Sequence, residues 1–307
     1  MTEKRKSSAE FCYYEIPNGE DVLALLGADY IQSYGWGPKG EEAHRKHFHN
    51  LLEVGICRLG CGEVWIESRK YHYEAGAIYV IPKNIPHAIV SKNAQKSFWE
   101  FICVNPAVFL EHCGLVEHRE QGKYLELVGH SFCKKKEEVQ LLAATVNLLM
   151  DQMRTQEYPY RQCVTGLTFA LLMEIAKINY RKKSKTRAER TPPVNKMQKI
   201  AKALDYIEEH YPERIKASDI AGAAYVSPTY LRRLFQEHCS MTPMQYLNYV
   251  RINAACRLME NGDDSMNEVA QKVGYDNIAT FINNFKFYKN ETPKQWKEQQ
   301  KSSVRKI

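Results

Sequence analysis

The chain has 307 residues, a length typical of about two domains that each bury a core of their own. Lysine and arginine number 43 against 36 aspartates and glutamates, and the resulting net charge of +7 favours an anionic partner. With 44% hydrophobic and 26% charged residues, the composition excludes bulk disorder, collagen and a disulfide-stapled miniprotein.

The cysteines and the N-terminus bear on the cellular compartment. Nine cysteines, odd in number and scattered, predict free thiols in a reducing environment. The N-terminus is charged, and no run of about 18 apolar residues occurs in the chain. We therefore expect a cytoplasmic protein without a membrane partner.

Strand-forming residues dominate residues 48–104, where short β-branched and aromatic runs alternate with glycine and proline. Closely spaced strands of this kind are typical of a barrel or a sandwich. The sequence predicts a β-barrel over about residues 30–110.

A helical period replaces the strand pattern from about residue 137. Leu142 and Leu149 fall on one face of a first helix, and a second apolar stripe runs from Val164 to Ile178. We predict a helical hairpin over about residues 137–180 and expect it to pair two copies of the chain as a homodimer through the face that carries Leu142 and Leu149.

A basic stretch, residues 181–195, follows the hairpin and contains Pro192 and Pro193. Because such a segment cannot bury apolar surface, it indicates an exposed linker, which either only tethers the two domains or also contacts phosphates. The predicted domains are residues 1–180 and residues 196–300.

The last third of the chain repeats itself at an offset of 50 residues. The matched positions are Leu231 with Phe281, Phe235 with Phe285, and Thr242-Pro243 with Thr292-Pro293. One supersecondary unit is therefore present twice.

The first copy has the pattern of a helix-turn-helix. Ser218 is predicted to cap a short helix, and Ser227-Pro228 supplies the N-cap and first position of the next. That second helix turns Thr229, Arg232 and Arg233 outward, and these side chains are able to reach bases or phosphates in a major groove.

The second copy follows the same plan. Ser265 and Glu268 form a capping box, Gly274-Tyr275 turns the chain, and Asn277 caps the second helix. The outward face of this helix is predicted to carry no charge, so we expect it to contribute less affinity for DNA than the first.

One long helix is predicted to join the two copies, from Thr242-Pro243 to about Asn261. About 19 residues give a length of roughly 28 Å, close to the roughly 34 Å between successive major-groove faces of B-DNA. One chain is therefore able to place two reading helices in adjacent grooves.

Residues 196–298 resemble the paired helix-turn-helix domain of the AraC/XylS family of bacterial transcription regulators. The matching residues are Ile220-Ala221, Ser227 through Phe235, Thr242-Pro243, Tyr246-Leu247, Arg251, Val269-Ala270, Val273-Gly274-Tyr275, Phe281, Phe285 and Thr292-Pro293. The resemblance covers about one third of the chain.

The resemblance implies which side chains face DNA. We expect these to be Ser227, Thr229, Tyr230, Arg232, Arg233, Asn277, Ile278, Ala279, Ile282 and Asn283. The sequence departs from the family at Tyr225, where glycine is frequent in the turn, and at Asn283-Asn284, where a basic residue is frequent.

Four polar residues of the β-rich region form a potential ligand set. His47 and His49 share one strand face, Glu53 follows on the next strand, and His87 from a later strand completes the set. Three imidazoles and a carboxylate suit Zn, Fe, Mn or Ni. The two stretches resemble the paired motifs of the cupin barrel, which in this family implies a sensor domain in front of the DNA-binding domain.

Two interpretations of these four residues stay open: a divalent metal site, or the lining of an effector pocket with no cofactor, and we expect the second. The residues predicted to contact an effector, which family habit suggests is a carbohydrate, are Tyr34, Trp36, His47, His49, Glu53, Trp65, His87 and Trp99. Aromatic residues stack on sugars, although in strands they also form cores.

The sequence as a whole predicts an α+β chain of two domains: a cupin-like β-barrel with a helical hairpin, then an all-α domain with two helix-turn-helix units joined by a long helix. We expect a transcription regulator and not an enzyme. Its expected partners are double-stranded promoter DNA, a small-molecule effector and, for an activator, RNA polymerase. The alternative is a metal-dependent cupin enzyme tethered to DNA.

Overall fold

The computed structural model describes residues 10–17, 19–26, 46–67, 69–92, 97–185, 196–261 and 264–304. The chain divides into two compact units, Met1–Pro192 and Pro193–Ile307, here called the N-terminal and C-terminal units. The division falls inside the basic stretch 181–195. Among the described residues, no helix has the length and apolar character needed to cross a membrane.

Ten described strands of the N-terminal unit form two five-stranded sheets. They are β1 (Glu10–Cys12), β2 (Leu23–Leu25), β3 (His47–His49), β4 (Leu52–Leu59), β5 (Gly62–Ile66), β6 (Arg69–Tyr73), β7 (Ile78–Ile81), β8 (His87–Ser91), β9 (Phe98–Val104) and β10 (Phe132–Lys134). The first sheet has the order β1-β3-β8-β5-β6, and the second has the order β10-β7-β4-β9-β2.

The strands of the two sheets extend beyond both ends of the predicted barrel range, residues 30–110. β1 pairs in parallel with β3, β2 pairs antiparallel with β9, and β10 pairs antiparallel with β7. Each of these three strands has only three residues, too few to show an alternating pattern.

The second sheet is buried on both faces. Directly paired residues of neighbouring strands point to the same face, and the register pairs Gly55 with Tyr79 and Phe101 but Val54 with Val80 and Ile102. The first set therefore faces the barrel interior, and the second set forms an outer apolar face.

Helices cover that outer face. They are α1 (Pro106–Cys113), α2 (His118–Val128), α3 (Gln140–Thr155) and α4 (Tyr160–Lys185), with a 3-10 turn at Lys136–Glu138. The predicted hairpin is confirmed as α3 and α4, whereas α1 and α2 were not predicted. Val54, Val80 and Ile102 belong to one apolar cluster with Leu142 and Leu149.

The predicted dimer face of the hairpin is therefore wrong. Leu142 and Leu149 are 1% and 0% exposed, because they pack against the chain's own sheet. An apolar helical stripe indicates burial but does not identify what buries it. The exposed apolar residues of α3 are Leu141 and Leu148, on its other side.

The C-terminal unit is helical throughout its described residues. Its helices are α5 (Lys196–His210), α6 (Ala217–Ala223), α7 (Pro228–His238), α8 (Pro243–Asn261), α9 (Met266–Lys272), α10 (Ile278–Lys289) and α11 (Pro293–Val304). Helices α6–α7 and α9–α10 are the two predicted helix-turn-helix units, and the 19-residue α8 joins them as predicted.

Local capping positions most of these helices. The Ser265 hydroxyl accepts from the Glu268 backbone N–H (3.3 Å), and the Glu268 carboxylate accepts from the Ser265 N–H (2.8 Å), which confirms the capping box. Ser218 is not a cap. α6 begins at Ala217, and the Asp219 carboxylate accepts from the Lys216 N–H at its start (2.7 Å).

Replacing Leu149 with alanine should destabilise the N-terminal unit by about 2–5 kcal/mol, because the change leaves a cavity between α3 and the sheet. Leu115→Ala is the matched control; its side chain is 60% exposed, so its effect should stay within about 0.5 kcal/mol. Urea denaturation of both variants provides the comparison. Equal stability of the two would contradict this packing of α3.

Candidate DNA interface and buried histidine cluster

Helix α7 presents a polar face to solvent. Thr229, Arg232 and Arg233 are exposed, whereas Leu231 and Leu234 on the opposite side are fully buried. This separation leaves three polar side chains of the predicted DNA-facing set accessible on one helix.

Ser227 fixes the start of α7. Its hydroxyl accepts from the Tyr230 backbone N–H (3.3 Å), and Pro228 occupies the first helical position, as predicted. Ser227 is exposed, so it combines the N-cap role with a place at the candidate interface.

Lysines of α5 add positive charge beside this face. The Lys199 ammonium lies 5.4 Å from the ring centroid of Tyr230, and the Arg233 guanidinium lies 5.0 Å from the same centroid. The Lys202 ammonium lies 4.7 Å from the Tyr225 ring centroid. The sequence interpretation missed both lysines, although Lys196, Lys199 and Lys202 recur at a helical spacing.

The two inter-helix turns have the same backbone form. Tyr225 has φ +54° and Gly274 has φ +89°. In the first turn the Val226 N–H donates to the Ala221 carbonyl (3.0 Å). In the second turn the Tyr275 N–H donates to the Ala270 carbonyl (2.9 Å). A residue with a side chain in this left-handed region costs about 1–2 kcal/mol relative to glycine. Tyr225, 80% exposed, holds a strained position with its ring beside Lys202.

The second reading helix, α10, starts at Asn277. The Asn277 side-chain oxygen accepts from the N–H groups of Ala279 (2.7 Å) and Thr280 (3.2 Å), which confirms the predicted cap. This local bond sets the direction in which α10 leaves the turn.

The outward face of α10 differs from the prediction. Ala279 and Asn283 are exposed, but Ile278 and Ile282 are half-buried against the apolar core of the second helix-turn-helix motif. Lys286 is exposed one turn beyond Asn283, so this face does carry a charge.

Arg251 of α8 connects the two helix-turn-helix motifs within the C-terminal unit. The buried guanidinium donates to the carbonyl oxygens of Tyr211 and Glu213 (both 2.7 Å), and it lies 5.4 Å from the Tyr275 ring centroid. Gly274 permits this packing, because a Cβ there would lie 2.8 Å from Nη2 of Arg251. Arg251 thus ties the end of α5 to the second turn.

The four residues of the predicted ligand set come together inside the barrel. His47 pairs directly with His87 across β3 and β8, and the ring nitrogens of His47, His49 and His87 lie within 4.8 Å of one another. The Glu53 carboxylate lies 3.3 Å from Nε2 of His49 and 3.6 Å from Nε2 of His87. All four side chains are buried.

Backbone contacts fix the tautomers of two of the imidazoles. Nδ1 of His49 lies 2.8 Å from the Leu51 carbonyl oxygen, and Nδ1 of His87 lies 2.9 Å from the Ile85 carbonyl oxygen. A carbonyl only accepts, so each Nδ1 carries the proton and donates it. Nε2 is then the atom of each ring that faces Glu53, where it donates a hydrogen bond if the imidazole is protonated and offers a lone pair if it is neutral.

Burial sets the charge of the cluster. Desolvation, together with the neighbouring imidazoles, lowers the pKa of His47 well below its usual value, and desolvation also lowers the pKa of His87. Burial opposes ionisation of Glu53, but His49 and His87 hold the pKa of its carboxyl well below the usual range. The charge of Glu53 is therefore set jointly by its burial and by the two imidazoles in contact with it.

Tyr79 supplies a hydrogen-bond donor to this carboxylate. Its hydroxyl donates to Glu53, and burial together with the Glu53 charge raises the pKa of Tyr79 well above its usual value. The ring lies directly over Gly55, where a Cβ would be 2.6 Å from it. The Cys103 thiol lies 4.0 Å from the same carboxylate, so side chains from two neighbouring strands face Glu53 as donors.

The predicted aromatic contacts are not gathered at this cluster. Trp99 is buried and packs on Tyr79 (ring centroids 5.0 Å apart) and Phe101, so it belongs to the core. Trp65 is half-exposed on β5, where the neighbouring Val64 and Ile66 are the buried positions, and Lys70 lies 4.1 Å from its ring centroid. Alternation thus places Trp65 on the other face of the sheet. Tyr34 and Trp36 lie outside the described residues.

All nine cysteines are free thiols, as predicted. Burial raises the pKa of Cys57, Cys133 and Cys239 to about 12. These thiols are consequently protonated at neutral pH and unsuited to nucleophilic chemistry.

Comparison with known families assigns a domain to each unit. Residues 220–299 match a helix-turn-helix domain family, and residues 37–104 match a cupin domain family. Both matches agree with the resemblance found in the sequence.

Similar proteins include regulators from several bacteria. The HTH-type transcriptional regulator YisR of Bacillus subtilis is 31% identical over 31% of this chain and 33% of its own length. The raffinose operon transcriptional regulatory protein RafR of Pediococcus pentosaceus is 23% identical over 73% of this chain and 76% of its own. ToxT of Vibrio cholerae, a solved structure, is 14% identical over 81% of this chain and 89% of its own, with a TM-score of 0.36. The chain spans about a third of the length of the first curated relatives it matches.

Proposed function

We propose that this chain, which carries an AraC-type helix-turn-helix domain behind a cupin domain, is a cytoplasmic transcription regulator that binds promoter DNA. The observation that carries the proposal is the duplicated reading unit. Each copy holds a capped helix with an exposed face, and a helix of 19 residues separates the two copies.

The two copies contribute unequally to DNA binding. Two arginines project from α7 beside Lys199 and Lys202 of α5, whereas the exposed face of α10 offers Ala279, Asn283 and Lys286. Arginine reads guanine through two hydrogen bonds, and lysine beside it suits phosphate contact. The first helix-turn-helix motif thus supplies most of the affinity for DNA.

Arg232→Ala and Arg233→Ala should each weaken specific DNA binding by about 1–3 kcal/mol, with a smaller loss for Asn283→Ala. Fluorescence anisotropy on a duplex selected from a random pool by the full chain measures these changes at fixed salt. Gln236→Ala, exposed on the same helix α7, is the matched control and should bind normally. Equal losses in all four variants would contradict the ranking of the helices.

The N-terminal unit is proposed to bind a small-molecule effector, with a carbohydrate as the favoured class. Support comes from the cupin match and from RafR, which is named for a raffinose operon and aligns with 73% of this chain. The regulators among the relatives favour a non-catalytic role over the enzyme alternative. For an activator, RNA polymerase is the further proposed partner.

The histidine cluster is proposed to hold a divalent transition metal. Its donors fit: Nε2 lone pairs of His49 and His87 face the Glu53 carboxylate, and His47 lies beside them without a positive charge of its own. His49 and His87 each donate Nδ1–H to a backbone carbonyl. Hydrogen bonds of this kind orient the imidazoles that bind metals in proteins. A bound ion would supply the positive charge that these buried lone pairs lack and would join β3, β4 and β8.

Protein purified without added metal should contain about one equivalent of a divalent transition metal by inductively coupled plasma mass spectrometry. His49→Ala and Glu53→Gln should lose it, and chelation should lower the melting temperature of the wild-type chain, since binding is linked to folding. His72→Ala, a change on exposed β6, should retain the metal. Metal-free protein that neither takes up zinc nor responds to a chelator would rule the metal site out.

The homodimer is proposed to form through the solvent face of α3. Leu141 and Leu148 are 63% and 53% exposed and lie seven residues apart, two helical turns along one side. Large exposed leucines in helical register are typical of an interaction surface.

The double variant Leu141→Asp with Leu148→Asp should be monomeric in sedimentation velocity at a concentration where the wild type is dimeric. Exposed positions tolerate charge, so the double variant should have the same melting temperature as the wild-type monomer. Leu115→Asp, exposed outside α3, serves as the control and should remain dimeric. A dimer that survives the double change places the interface elsewhere.

A further inference from the structure

The turn of the first helix-turn-helix motif holds a strained aromatic residue at the surface. Tyr225 has φ +54°, in the left-handed region that glycine adopts without strain, and its side chain is 80% exposed. The ring contributes nothing to the apolar core, so packing does not require it at this position. Backbone strain that packing does not require is typical of residues with a functional role.

The Tyr225 ring lies against a lysine of the neighbouring helix α5. The Lys202 ammonium is 4.7 Å from the ring centroid, and Lys202 is exposed. Within the part of the chain that the structure describes, neither side chain has a hydrogen-bond partner, and no carboxylate pairs with the ammonium. The two residues therefore present a positive charge and a hydroxyl that an outside partner is able to bind.

This pair continues the basic surface of the reading helix α7. Lys199 precedes Lys202 by one helical turn on α5, and its ammonium lies 5.4 Å from the Tyr230 ring centroid. The Arg233 guanidinium lies 5.0 Å from the same centroid. Cations and aromatic rings thus alternate in a row from Arg233 to Tyr225. A helix in the major groove is flanked by the phosphates of both strands, so a row beside α7 is placed to meet them.

The second helix-turn-helix motif uses the equivalent cation inside the protein. Arg251 precedes Gly274 by the same 23 residues that separate Lys202 from Tyr225. The buried Arg251 guanidinium donates to two backbone carbonyl oxygens, and Gly274 leaves the space that it needs. In the first motif the cation and the side chain of the turn are both exposed, which leaves them available to a partner.

We propose that Tyr225 and Lys202 form a clamp for one phosphate of the DNA backbone beside α7. The Lys202 ammonium pairs with a phosphate oxygen, the Tyr225 hydroxyl donates a hydrogen bond to the same phosphate, and the ring holds the ammonium in place. The clamp depends on the proposed DNA-binding function. Because phosphates are the same in every sequence, it adds affinity for DNA without selecting bases.

The salt dependence of binding separates a phosphate clamp from base reading. Fluorescence anisotropy on the full chain measures the dissociation constants of the selected duplex and of a scrambled duplex of equal length, between about 50 and 200 mM salt. Each phosphate contact contributes about 0.9 to the slope of log Kd against log salt concentration. Lys202→Gln should therefore lower that slope by about 0.9 and weaken binding to both duplexes about 5- to 10-fold at about 0.1 M salt.

Two substitutions test Tyr225 itself. Tyr225→Phe keeps the ring and removes the hydroxyl, so it should weaken binding to both duplexes about tenfold without changing the slope, since no charge is lost. Tyr225→Gly should weaken binding at least as much and yet raise the melting temperature of the C-terminal unit, because glycine relieves the strain. A melting temperature no higher than that of the wild type would contradict the strain at Tyr225.

Lys272→Gln is the matched control for the loss of one charge. Its ammonium already pairs with the Asp264 carboxylate (2.8 Å), so the slope and both affinities should stay near those of the wild type. Normal affinity in either Lys202→Gln or Tyr225→Phe would overturn the clamp, and so would a loss confined to the selected duplex, which is the result of base reading. A wild-type chain that binds neither duplex would overturn the proposed function and the clamp with it.

Discussion

The second sheet of the N-terminal unit is buried on both faces, and the register of β4 between β7 and β9 decides what each face does. Successive residues point to opposite sides, so Glu53 enters the barrel while Val54 meets the helices. A slip of one residue would exchange them, placing a carboxylate under α3 and a valine beside the histidines. The chemistry of the barrel and the packing of the helical hairpin therefore depend on one strand alignment.

The C-terminal unit depends on a different constraint, the repeated geometry of its two turns. Both turns use a left-handed residue and the same backbone hydrogen bond, yet one has glycine and the other Tyr225. Gly274 is required by close contacts with Arg251 and the Tyr211 carbonyl, whereas Tyr225 is exposed beside Lys202. Packing therefore requires glycine in the second turn. The first turn has room for a side chain, and the Tyr225 ring lies beside Lys202 near the basic surface around α7.

Much of this structure was predictable from sequence because its signals are local. The caps at Ser227, Ser265 and Asn277 follow from side chains that bond within three residues, and the repeat fixes α7 and α10 relative to their turns. The histidine set was predictable because alternation along a strand is strict, although nothing local showed that Tyr79 would donate to Glu53. Contacts distant in sequence were harder to predict. The stripe of Leu142 and Leu149 correctly indicated burial, but its partner was the sheet and not a second chain, and Trp99 was placed in the core by neighbours on β7 and β9.

In the proposed function, one chain uses two helices to read two successive turns of DNA. Hydroxyl-radical footprinting of the full chain on a selected duplex tests it most directly, at a salt concentration where non-specific binding is weak. Each bound chain should give two protected patches on one side of the duplex, about one helical turn apart, with stronger protection where α7 binds. A single patch per chain, or uniform protection without sequence preference, would contradict it.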